Sequence, residues 1–240
     1  MSLPTPLDGA APGYFGVYPA IVTDLVDPDS LGRVQVRFPW LGEEGGADDV
    51  RAWATLCSPY ADSDQGLMIV PEVDSQVVVA FEAGNLRRPY VLGAAWNGEA
   101  AQPETPTTAN DLRLLKSRSG SRFEFDDSTG SAKITLTTSA GVQIVLEDSG
   151  KATVSTPLGH TVTLDDTGQQ VSVSHALGCS VSLSATSVTI QANVSVDVTA
   201  PMVKVDAAFA QFSGVLQATT VIATTAISAP SYSPGLGNTT

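Results

Sequence analysis

The sequence predicts an all-β protein in two parts, a small closed barrel followed by a long shaft of short strands wound together with other copies of the chain. Three observations carry this prediction. Through residues 111–229 apolar side chains fall at every second position, as at Phe123/Phe125, Ile134/Leu136, Val142/Ile144/Leu146, Val171/Val173, Val194/Val196/Val198 and Val203/Val205. Ser, Thr, Asp and Gln lie between them, which is the period-2 pattern of half-buried strands. Acidic turns ending in glycine (Asp126-Asp127 with Gly130, Glu147-Asp148 with Gly150, Asp165-Asp166 with Gly168) recur about 20 residues apart, as in stacked β arrays. From Tyr14 to Gly98 the texture differs: longer strands, larger aromatics and more charge.

Residues 1–13 are rich in Pro, Gly and Ala and predict a flexible or docking arm. In 14–98, strands are expected at 15–24, 33–38, 51–57, 76–81 and 90–95, separated by Gly and Asp clusters such as Asp27-Pro28-Asp29. Five strands in so short a span, with no helical pattern, suit a small closed barrel, and the OB type is the commonest of these. Trp40, Trp53, Phe81, Tyr90 and Trp96 would furnish its aromatic core. Residues 99–111, a Pro/Thr/Ala run without apolar periodicity, read as a linker. The shaft, 112–229, opens with a basic cluster, Arg113, Lys116, Arg118 and Arg122, which either pairs with neighbouring acids or docks an acidic collar.

Most shaft strands carry only one or two small β-branched residues, which is thin for a self-sufficient core. A stacked β unit cannot bury its apolar face alone. The missing core is therefore expected from other chains, most simply in an intertwined homotrimeric β-helix or β-prism. After Lys204 the side chains shrink through an Ala/Thr-rich run, which suits a taper, and residues 230–240 form a turn-rich tail around Tyr232, Pro234 and Gly235.

Composition narrows the partners. The chain has 12 basic and 25 acidic residues, a net charge of -13, and should repel nucleic acid and anionic membrane surfaces. After Asp166 its only charged side chains are Asp197, Lys204 and Asp206. So bare a run of strands is an aggregation hazard unless every edge is paired within a closed assembly. Cys57 and Cys179 make no disulfide framework and fit free thiols formed in a reducing cytoplasm. The first residues have neither the basic stretch nor the apolar core of a secretory signal, so release within a particle is the expected route out of the cell.

Five blocks of the barrel region are specific. They are Val17-Tyr-Pro-Ala-Ile-Val-Thr-Asp24; Asp29-Ser-Leu-Gly32-Arg33-Val34-Gln-Val-Arg-Phe38-Pro39-Trp40; Arg51-Ala-Trp-Ala54; Pro71 through Phe81-Glu82; and Arg88-Pro89-Tyr-Val-Leu92-Gly93-Ala-Ala-Trp96-Asn97-Gly98. In this order and spacing they resemble the OB-fold domain of contractile-tail spike proteins, a family of gpV-type phage baseplate spikes, VgrG proteins of type VI secretion and spikes of extracellular injection particles. The resemblance implies a structural spike at the centre of a baseplate, trimeric, that punctures a target envelope when the sheath contracts and touches membrane only then. It implies a separate hub protein at the barrel end, since the arm is too short to be a hub domain. It also implies a PAAR-type tip protein at the other end, for which Tyr232, Pro234 and Gly235 are the candidate contact. The linker is too short to hold an inserted lysozyme.

No catalytic constellation stands out, and neither an enzyme nor a cofactor is expected. There is no G-x-S-x-G elbow, and the only histidines are His160 and His175. Each acidic pair precedes a glycine, where Asp favours a turn by bonding its own backbone. The competing function is a carbohydrate-binding or carbohydrate-degrading tail-spike adhesin, which would need those acids, or exposed aromatics, on a groove. His175 and Cys179, four apart and so on one face if they share a strand, are the weak candidates for a metal on the trimer axis.

Overall fold

The computed structural model describes residues 13–226 and Ser228. The first part is a closed barrel of Val17–Asp24 (β1), Arg33–Arg37 (β2), Arg51–Leu56 (β3), Gln76–Phe81 (β6) and Pro89–Ala94 (β7). Their order is β1-β2-β3-β7-β6, with β1 closing antiparallel on β6 and β3 running parallel to β7. A small hairpin, Ala61–Asp62 (β4) and Gln65–Gly66 (β5), lies in the long connection from β3 to β6.

Valine alternation sets the barrel. Ala20, Val22, Val34, Val36, Ala54, Val77, Val79 and Val91 point inward and are buried, while their neighbours face out. Register shifts within β1–β2 and β6–β7 bend the strands enough to close so small a barrel. Phe38 and Phe81 plug it, their rings 5.5 Å apart, and Tyr14, Tyr18 and Trp40 pack against that end. Here the expected aromatic core needs correction. In β7 it is Pro89 and Val91 that point inward, which turns Tyr90 outward, and Trp96, beyond the strand, is 62% exposed. Trp53 is half-buried beneath the Arg33 guanidinium, 5.9 Å from the ring centre.

The second part is one nine-stranded sheet, from Leu112–Lys116 (β8) to Val188–Gln191 (β16) in strict chain order. Every strand pairs antiparallel with the one before and the one after. The repeat seen in the sequence is therefore one hairpin with the turn that joins it to the next, and not a coil of a parallel solenoid. Gly141 shows why glycine punctuates it: its φ is +85°, and an added Cβ would sit 3.1 Å from Pro157. In the turn from β13 (Thr161–Asp165) to β14 (Gln170–Ser174) the left-handed residue is Gln169, at φ 48°, while the Gly168 N–H donates to Asp165.

Past Gln191 the structure departs from the periodicity. Val194/Val196/Val198 and Val203/Val205 alternate, yet among the described residues from 192 onward no strand is assigned. A strand needs a second backbone to bond, and this segment finds none among the described residues. The expected tail contact at Tyr232, Pro234 and Gly235 lies outside the described residues, as does nearly all of the arm at 1–13.

Candidate functional site: an uncovered apolar face

Alternation from Arg122–Asp126 (β9) through Ser180–Ser184 (β15) puts Phe123, Phe125, Leu136, Ile144, Leu146, Val154, Val162, Leu164, Val171, Val173, Val181 and Leu183 on one face of the sheet. They lie opposite one another across the ladder (Leu136↔Ile144, Val162↔Val173, Val171↔Leu183) and form a continuous apolar surface. Each is 38–50% exposed. The other face, built of small side chains such as Thr135, Thr153, Thr163, Ser172 and Ser182, is the more covered of the two. A sheet on its own would turn these faces the other way. Every buried apolar residue of the described chain lies in the barrel, so the sheet has no core of its own.

Magnitude decides what this means. Fully burying a Val, Leu or Phe side chain is worth about 1.5–3 kcal/mol, so covering a dozen half-exposed ones yields on the order of 10 kcal/mol per chain. That equals the whole stability of a typical domain, about 5–15 kcal/mol. The segment after Gln191 repeats the message: Val194 and Val215 are 96% and 97% exposed, and Phe209, Phe212 and Ile222 are also bare.

The barrel is held by its turns. Asp27 is the hub of the β1–β2 loop: its carboxylate accepts N–H bonds from Asp29, Leu31 and Arg33 and a two-pronged bond from the Arg33 guanidinium at 2.7 and 2.9 Å. The Arg33 guanidinium, aided by the three backbone N–H groups, holds the Asp27 carboxyl far below the usual carboxylate range, and Arg33 is raised in turn. Gly32 sits in that loop at φ +70°. Val34 and Phe38 lie in the core, Pro39 follows, and the Trp40 indole donates to the Pro19 carbonyl at 3.0 Å. Pro71 opens the run into β6, Phe81 ends it and Pro89 is buried at the start of β7. Leu92 faces out and is the residue that the β6–β7 pairing skips, between Val91 and Gly93. Past the strand, Asn97 caps the exit by accepting from Glu99 and Ala100, with Gly98 at φ +91°.

The basic cluster at the start of the sheet is largely matched by acids. Arg113 bonds Asp127 at 2.9 Å, Arg122 bonds Glu104 and Glu124, and Arg118 reaches back to Glu72 of the barrel at 3.1 Å. The acidic pairs serve turns: Asp126 accepts from Ser128 and is held below the usual range by it, and Asp165 accepts from Gly168. Residues His175 and Cys179 do not share a strand. They face each other across the β14–β15 turn, where the His175 N–H donates to the Cys179 carbonyl at 2.8 Å. The His175 ring lies 4.4 Å from that of His160, which sequence spacing did not bring together. Both Nδ1 atoms accept backbone N–H bonds, from Leu177 and Ala176. Among the described residues no three His, Cys, Asp or Glu side chains converge as a metal site.

Comparison with known proteins agrees with this division. Residues 18–96 match the family model of the type VI secretion system and phage-baseplate injector OB domain. Residues 151–217, which take in the later strands of the sheet and the segment beyond Gln191, match the phage baseplate V C-terminal trimerisation domain. The chain belongs to the phage baseplate V family. Among similar proteins, the type VI secretion system spike proteins VgrG1a and VgrG4b of Pseudomonas aeruginosa are 28% and 31% identical over 102 and 115 residues. These matches cover 41% and 46% of this chain but only 16% and 14% of the relatives. The actin cross-linking toxin VgrG1 of Vibrio cholerae is 26% identical over 113 residues, 45% of this chain and 10% of the toxin. The chain thus spans under a fifth of the length of these relatives. No helix among the described residues is long and apolar enough to cross a membrane.

Proposed function

We propose that this baseplate V family member is the central spike of a contractile injection machine, acting as a homotrimer that transmits the thrust of sheath contraction to its point. One observation carries the reading: a nine-stranded sheet with a whole apolar face uncovered, whose strands from Lys151 onward lie in a segment that matches a trimerisation domain. Three such faces turned inward about one axis would bury one another. The strandless residues after Gln191 would find backbone partners on neighbouring copies. A shaft with all its ladders paired resists bending because each strand is held along its full length.

In this reading the barrel, 14–98, is a collar on a separate hub protein, with the motif residues from Gly32 to Trp40 and from Pro89 to Gly98 as its scaffold. The linker is 99–111, the shaft 112–229, and the tail 230–240 meets a PAAR-type tip. The role is mechanical and not enzymatic, since the acidic pairs hold turns. The full chain should weigh three times its 24.8 kDa in native mass spectrometry, and a particle assembled with it should show three barrels around one axis. A folded single chain with its sheet intact at micromolar concentration would overturn the reading.

A further inference from the structure

The barrel has an uncovered surface of its own, at the end from which the chain leaves for the sheet. The β1–β2 loop and the β4–β5 hairpin present Val26, Leu31, Tyr60, Leu67, Met68 and Ile69, each half or more exposed and Met68 the barest of them at 84%. Between the two loops lies a hollow of about 900 Å³. Its charged lining is Asp27 and Arg33, spent on each other, and Asp62 and Asp64 at the hairpin tip. The same long connection ends at Val73–Ser75, against Ala94–Trp96 where the chain exits, and its Glu72 bonds Arg118 of the sheet. This surface therefore adjoins the start of the sheet.

We infer that this surface is a second contact between copies, in which the β4–β5 hairpin and the Leu67–Ile69 run of one copy pack on the barrel of the next. The inference rests on the trimeric spike proposed above. Two arguments favour another copy over a different partner. A hub at the arm end would meet the opposite end of the barrel, where Tyr14 bonds Gly84, whereas at this end a coaxial spike offers only other copies. Copies carrying a net charge of -13 each repel one another, and they approach most readily through a surface whose charges are few, with Asp27 and Arg33 neutralising each other and only Asp62 and Asp64 left at the hairpin tip. Exposed apolar patches of this kind mark association surfaces.

The test uses the full chain with a photoreactive benzoylphenylalanine in place of Met68, made as an equal mixture of light and heavy-nitrogen copies. Native mass spectrometry is read first, then crosslinked peptides after irradiation. The expected result is a three-copy mass with mixed light–heavy crosslinks joining position 68 to peptides of residues 14–98. A three-copy mass without such mixed crosslinks overturns this contact and leaves the spike reading standing. A one-copy mass overturns both. In parallel, Met68→Asp should raise the concentration at which the trimer dissociates by about tenfold, as expected for losing a buried apolar anchor.

Discussion

Asp27 concentrates the barrel's electrostatics in one side chain. Only 4% exposed, it satisfies three backbone N–H groups and one guanidinium, so it fixes the β1–β2 loop and the position of Arg33 together. Replacing it with Asn keeps the shape but removes the charge that Arg33 needs. Asp27→Asn should lower the thermal midpoint of the barrel by several degrees at neutral pH, measured by calorimetry. The sign with pH follows from the lowered carboxyl. Its stabilisation is complete above the ordinary carboxylate range, about 4, and is lost as pH falls from there toward the folded-state value. Urea midpoints of wild type and Asp27→Asn should therefore keep their separation from pH 7 to about 5 and draw together as pH falls through 4 toward 3, and curves that stay parallel down to pH 3 would show the pair to be idle. The Gly32-Arg33-Val34 motif pointed to this loop from sequence. The role of Asp27 needed coordinates, because its partners lie two to six positions ahead, along a loop path that no period describes.

Within single strands the alternation of large apolar and small polar side chains was plain in the sequence, and it correctly separated two faces. What it could not say was which face would be covered, since the same pattern serves a sheet on a core and a sheet awaiting one. The structure answers with exposure: the Phe, Leu and Val face is the barer. A charge placed on that face should act through assembly. Leu146→Asp should convert the three-copy species to a single-chain one with the barrel's unfolding transition intact, whereas Thr163→Asp, on the opposite face, should leave the mass unchanged. Equal effects from the two substitutions would show that the faces are not distinguished. The same logic explains the core aromatics. Tyr90 and Trp96 read as interior from their size, but Pro89 and Val91 already occupy the inward positions of β7.

Across the whole chain, the two parts meet the burial requirement differently. The barrel closes on itself around ten buried apolar residues, a core supplied by one chain. The sheet, by contrast, has no buried residue of its own. Cutting the chain after residue 110 should therefore leave a monomeric barrel that unfolds cooperatively. In the full protein, dilution should abolish the sheet's circular-dichroism signal before the barrel's, and a sheet that stays folded on a lone chain would refute this.

The sequence by itself determined that the chain is all-β, that it changes character near residue 100, and that its shaft strands are too lean to stand alone. These follow from local period, turn chemistry and side-chain size, which are properties of neighbouring residues. Only the tertiary structure decided that consecutive shaft strands pair as antiparallel hairpins, that the apolar face lies bare, and that among the described residues strand pairing stops at Gln191. Those outcomes depend on which distant backbones find each other, and where the described residues offer none the apolar alternation persists without a strand to carry it.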